Sequence, residues 1–236
     1  MNMVMRKQSG FTLIEIAIVL VIIGLLLGGV LKGQELINTA RVRALNNNVD
    51  GITAAWFSFQ DRYRGFPGDY REGSLNLPNV TADGDGDGLV NTDNERALVW
   101  VHLQAAGYIT GSYTDNAATV ADNDYRCNLA NCPDNGFGSG MNLSYGSLLQ
   151  SEAAKANPID AHELITGVGI PVEVLAELDR KVDDGDAGSG AMQLGASGGS
   201  ADWTDPDIDA CQNAADENLY GLQSPSSNCA AVFRNF

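Results

Sequence analysis

From Phe11 to Leu31 the chain reads FTLIEIAIVLVIIGLLLGGVL, 21 residues in which Glu15 carries the only charge. At 1.5 Å per residue, a helix of this length spans the roughly 30 Å hydrocarbon core of a bilayer. The segment therefore commits the N-terminus to a membrane-competent helix and leaves the rest of the chain to build any water-exposed domain. Arg6 and Lys7 are the only charges among the ten residues before it, so the positive-inside rule keeps this short head in the cytoplasm. Everything after Lys32 then faces outward. A secretory signal would have a shorter apolar stretch, about 7–15 residues, followed by an A-x-A cleavage pattern. Here the run is longer and no such pattern follows it.

Charge sharpens what the exported part does not do. The chain has 30 Asp and Glu against 14 Lys and Arg, a formal charge of −16. Residues 41–236 hold 28 of those acids and 11 of the bases, so the acidity belongs to the exported part. Such a surface argues against nucleic acid, because duplex binding needs Lys and Arg to replace phosphate counterions. Anionic membrane surfaces are disfavoured for the same reason.

Beyond the apolar run, Val42, Leu45, Val49, Ile52, Trp56, Phe59 and Tyr63 recur at alternating spacings of three and four, one face of a helix. Asn46, Asn47 and Asn48 are poor helix formers and a globular region follows, which favours packing against a sheet over a coiled coil. Gly65-Phe66-Pro67-Gly68-Asp69 ends that helix. Gly24, Gly28, Gly29 and Gly33 form two small-xxx-small spacings that permit close helix contact.

Next, Asp83-Gly-Asp-Gly-Asp-Gly-Leu-Val-Asn-Thr-Asp-Asn-Glu95 follows the pattern of a calcium loop of the EF-hand type. Asp83, Asp85 and Asp87 stand at positions 1, 3 and 5, Leu89 would offer its backbone carbonyl, Asn91 stands at 9 and Asn94 at 12, with Glu95 one place later. Only a hard cation suits so many oxygen ligands, and calcium is the expected cofactor. Residues 95–109 read as a short buried helix with a Gly107 stop, and His102 within it as a partnered core residue. His162 is expected in a helix start at Asp160-Ala-His-Glu-Leu, and Val172–Val182 in a helix. The Gly- and Ser-rich stretch from Asp183 to Ser200 reads as a surface loop. Two separated histidines, and Ser147 and Ser151 outside any G-x-S-x-G context, suggest neither zinc nor a nucleophilic triad, so no enzyme activity and no catalytic residue is expected. The four cysteines lie in the exported part, as disulfides require an oxidising compartment. Three pairings are open; Cys127 with Cys132 and Cys211 with Cys229 is the simplest.

The segment Ser9-Gly10-Phe11-Thr12-Leu13-Ile14-Glu15 resembles the N-terminal motif of the type IV pilin and type II secretion pseudopilin superfamily, a short basic leader ending in Gly before Phe-Thr-Leu-Ile-Glu and an apolar helix. The resemblance implies that a prepilin peptidase cuts after Gly10 and that Phe11 becomes the methylated N-terminus. Glu15, whose carboxylate in a bilayer costs about 2.5–3.5 kcal/mol at the helix centre and less near the interface, would pair with the first amino group of a neighbouring subunit. It further implies identical or homologous pilin subunits and an inner-membrane assembly platform as partners. The protein would be a single-pass inner-membrane precursor with its C-terminal domain periplasmic, then part of a surface filament or a periplasmic pseudopilus. The Cys211–Cys229 loop is similar to the C-terminal disulfide loop of many pilins. The implied fold is α+β and pilin-like: a long N-terminal helix packed on a small antiparallel sheet, with a loop-rich, disulfide-closed C-terminal region. The expected organisation is a leader at 1–10, a transmembrane and polymerisation helix at 11–31, its amphipathic continuation at 32–64, and an acidic globular domain at 65–236 containing the calcium-type loop 83–95. The function implied is a structural subunit; a membrane-anchored calcium-binding or adhesive module that does not polymerise is the competing reading.

Overall fold

The computed structural model describes residues 13–115, 127, 129–146, 160–195, 211–213, 215–234 and 236. In chain order they form α1 (Leu13–Tyr63), α2 (Gly73–Asn76), α3 (Asp93–Ala105), β1 (Asn142–Gly146), β2 (Ala161–Ile165), α4 (Val172–Val182), β3 (Met192–Leu194), β4 (Gln212–Asn213), β5 (Asp216–Tyr220) and β6 (Ala231–Phe233). The fold is α+β and pilin-like, a long N-terminal helix with an antiparallel sheet and two disulfides in the C-terminal region.

The chain divides into two compact units, Met1–Ala40 and Arg41–Phe236. In the first, α1 presents an apolar surface with Leu13, Ile18, Leu25 and Leu31 all exposed, and the helix is long and apolar enough to cross a membrane. A side chain at Gly24, Gly28, Gly29 or Gly33 would meet nothing within 4 Å.

In the second unit the three-four spacing of α1 becomes a buried stripe of Val42, Leu45, Val49, Ile52, Ala55, Trp56 and Phe59, with Tyr63 partly buried at its end. Trp56 reaches the sheet, its ring 5.2 Å from that of His162 on β2 and 6.1 Å from that of Phe236. The main sheet has the order β1-β2-β6-β3, antiparallel at every step, and β4-β5 forms a separate two-stranded sheet. Leu143, Leu164, Met192 and Leu194 bring the sheet into the core that α1, α3 and α4 share.

Two expectations are corrected. Ala161–Ile165 is a strand, not a helix start. It pairs with β1 along its whole length and with β6 at Leu164 and Ile165, and its one acid, Glu163, is fully buried in an ion pair with Arg234 at 2.9 Å. The Gly- and Ser-rich stretch is not all surface loop, since Met192–Leu194 is a buried strand held against β6. The two disulfides join Cys127 to Cys132 and Cys211 to Cys229, each with a Cα–Cα separation of 5.8 Å.

Candidate functional site

The Asp-Gly loop folds around a residue that lies before it in the chain. The turn after α1 carries Asp69, a buried carboxylate whose Oδ1 accepts the N–H groups of Gly86 at 2.6 Å and Asp87 at 3.0 Å, and whose Oδ2 accepts that of Gly88 at 2.9 Å. Successive amides turned toward one anion form a backbone nest. Gly84 and Gly86 make the wrap possible. A Cβ at Gly84 would lie 2.2 Å from the Asp69 carbonyl carbon, and Gly86 has φ +71°, which glycine adopts at little cost. Arg71 fastens the far side by donating from Nε to the Asp85 carbonyl oxygen.

At the other end of the loop, α3 begins with a capping box. Thr92 Oγ1 accepts the Glu95 N–H at 3.3 Å, while Glu95 Oε2 accepts the N–H groups of Thr92 and Asn91, both at 3.1 Å. The box turns Glu95 inward and leaves it nearly fully buried.

The outcome is four carboxylates, of Asp69, Asp85, Asp87 and Glu95, each offering one oxygen, with all of these oxygens within 4.8 Å of one another. Among the described residues none of the four forms an ion pair. Burial raises the pKa of Asp69 above the ordinary carboxylate value, the amides of Gly88 and Gly86 oppose that rise, and the negative charges of Glu95 and Asp87 add to it. A cluster of this composition is able to hold a hard metal ion.

The loop residues are not all drawn into this cluster. Asp83 faces the other way, accepting the Ser74 N–H at 2.7 Å on Oδ1 and the Ser74 hydroxyl at 2.9 Å on Oδ2, and these bonds lower its pKa. Leu89 donates its N–H to Asp87 Oδ1 at 2.8 Å, and Asn91 reaches Asp87 Oδ2 at 3.5 Å through Nδ2. Asn94 is exposed in the first turn of α3. Two members of the cluster were outside the sequence-derived ligand set. Glu95 carried a visible signal, the Thr92-x-x-Glu95 capping pattern. Asp69 carried none beyond its place in a turn.

Both histidines are core residues. His102 Nδ1 accepts the Gly68 N–H at 3.0 Å and its ring stacks on Phe59 at 6.0 Å. His162 Nε2 accepts the Val90 N–H at 3.3 Å among Trp56, Phe66 and Tyr145. Burial lowers both pKa values to about 4.

At the N-terminus, Glu15 stands in the first turn of α1, where the helix dipole favours a carboxylate. Gly10 and Phe11 lie outside the described residues. Residues 5–31 match the prokaryotic N-terminal methylation motif, the signature of type IV pilins and pseudopilins. No curated protein and no solved structure matches the chain. The match covers the N-terminal segment, and the helix that begins within it is long and apolar enough to cross a membrane.

Proposed function

We propose, from the methylation motif over residues 5–31, that this chain is a structural subunit of a type IV pilus or a type II secretion pseudopilus, processed by a prepilin peptidase and assembled through its N-terminal helix. Residues 1–10 are the leader, cleavage follows Gly10, and Phe11 is the methylated N-terminus. Residues 11–31 anchor the precursor in the inner membrane and later pack in the filament core; 32–64 continue the helix into the periplasmic domain at 65–236. The carrying observation is that the motif runs directly into a helix whose apolar side chains are exposed from Leu13 to Leu31.

Glu15 is the only charge in that surface. Its assigned partner is the amino group of Phe11 on a neighbouring subunit. Away from water such a pair is far stronger than a surface ion pair, and it fixes the axial stagger of adjacent helices. The test is Glu15→Ala, with filaments imaged by electron microscopy. Filaments are expected to be absent or sparse while precursor cleavage proceeds. Normal filaments in normal number sink the role.

The four-carboxylate cluster fits calcium, because every available ligand is oxygen and two of the groups, Asp69 and Glu95, are already oriented by backbone amides. Asp69, Asp85, Asp87 and Glu95 would hold the ion, which would neutralise their repulsion and tie the turn after α1 to the start of α3.

A further inference from the structure

A second group of acids lies at the C-terminal end of α4, and it differs from an ordinary solvated cluster in one respect. Asp179 is completely buried, its Oδ2 accepts the Tyr220 hydroxyl at 2.8 Å, and its Oδ1 has no hydrogen-bond partner. The Gly185 N–H lies near the same carboxylate and favours its charged form without meeting Oδ1 in a hydrogen bond. A buried carboxylate oxygen with nothing to accept is costly, because it has given up water and gained no replacement. The carboxylates of Asp183 and Asp184 lie beside that of Asp179, with one oxygen from each of the three residues within 4.8 Å of the others.

We propose that Asp179, Asp183 and Asp184 form a second cation site, for a hard divalent ion of the calcium class, built from one buried and two more accessible carboxylates. Nothing else among the described residues balances them. Lys181, in the same helical turn, pairs with Glu177, and no ion pair reaches any of the three acids. The C-terminal end of a helix is the negative pole of its dipole, so carboxylates there repel the helix as well as one another, and a cation relieves both. The donors are all oxygen, which selects calcium, magnesium or manganese over softer metals.

The surrounding hydrogen bonds hold the acids in place. Asp183 Oδ2 accepts the Met192 N–H at 2.8 Å, and Asp184 accepts the Asp186 N–H at 2.9 Å and the Ser189 hydroxyl at 2.7 Å. Ala187, within the same loop, donates its N–H to Asn218 of β5 and accepts that of Leu194 of β3. An ion at this point would join α4 to its following loop, which hydrogen bonds in turn connect to β3 and β5. The site shares no residue with the Asp69 cluster and does not depend on it.

The test uses the full-length chain in detergent, freed of calcium with chelator, and follows assigned amide NMR signals as manganese is added. Manganese stands in for calcium on oxygen ligands and broadens the signals of nuclei near it. At about 1 mM, the upper range of calcium affinities in extracellular modules, the amides of Gly185, Ala187 and Met192 are expected to lose most of their intensity, and excess calcium to restore it. Asp184→Asn, an exposed change, and the double variant Asp183→Asn with Asp184→Asn should reduce and then abolish that loss, leaving the broadening of Gly86, Asp87 and Gly88 untouched. Persistence of the Gly185, Ala187 and Met192 signals in the unaltered chain overturns the proposal and assigns the cluster a shared proton instead. So does a loss that calcium does not reverse, or one undiminished in the double variant.

Discussion

Asp69 shows how a single residue organises a loop of fixed composition. Its two oxygens take three backbone N–H groups, and hydrogen bonds to a charged acceptor are each worth about 1.5–3 kcal/mol. Asp69→Asn replaces one of those oxygens with an NH2 that faces donors. It is expected to lower stability by more than about 1.5 kcal/mol in denaturant titration and to remove the part of any calcium-dependent rise in the melting midpoint that comes from the Asp69 cluster. The buried histidines make a second residue-scale prediction. A folded-state pKa lowered to about 4 means that the folded chain binds fewer protons than the unfolded one between pH 4 and 6.5. Stability from neutral His162 is thus complete above 6.5 and is lost as the pH falls toward 4. His162→Gln keeps an acceptor for the Val90 N–H but does not titrate. The stability advantage of the parent chain over this variant should shrink by about 3 kcal/mol between pH 7 and pH 4, measured by urea unfolding at each pH. The alternation of Asp and Gly at 83–88 was legible in the sequence because a loop motif is local. The recruitment of Asp69 was not, because it depends on the chain turning back at Pro67-Gly68, and no short-range pattern encodes that return.

Elements were legible in proportion to their periodicity. The α1 stripe repeats over six intervals, and each residue of it from Val42 to Phe59 is buried. The strands have three to five residues in the main sheet, too few to establish a period. Strand β2 also carries a buried Glu and His where alternation would place polar residues outside, since Arg234 and the aromatic cluster satisfy them. In β3 the cue is masked by Gly and Ser on either side of Met192-Gln193-Leu194. Short strands need a fastening that length does not provide. The Cys211–Cys229 bond closes a segment with a sequence separation of 18 that begins beside β4 and ends beside β6. Replacing both cysteines with Ala is expected to cost about 3 kcal/mol of unfolding free energy, with the loss seen in denaturant midpoints under oxidising conditions and absent when both proteins are compared reduced.

For the whole molecule the dominant quantity is charge. Cleavage after Gly10 would remove Arg6 and Lys7 and leave 30 acids against 12 bases, so identical subunits side by side would repel. Divalent cations counter that repulsion where the acids converge. The melting midpoint of the chain in detergent should therefore rise when millimolar calcium replaces chelator, and the difference should be larger at low salt than at high salt. Identical midpoints would remove calcium from the account.

The unbroken course of α1 has a mechanical consequence. A residue that leaves a helix lengthens from 1.5 Å to about 3.3–3.6 Å, so each one released under tension yields about 2 Å of travel. Between Gly24 and Gly33 four glycines each weaken the helix by about 1 kcal/mol relative to Ala, and a side chain at any of them would meet nothing within 4 Å among the described residues. From Val42 onward every turn is fastened to a core. Pulled along its axis as a single chain, α1 is expected to yield first in its glycine-bearing stretch and last where Val42 to Phe59 hold it to the core.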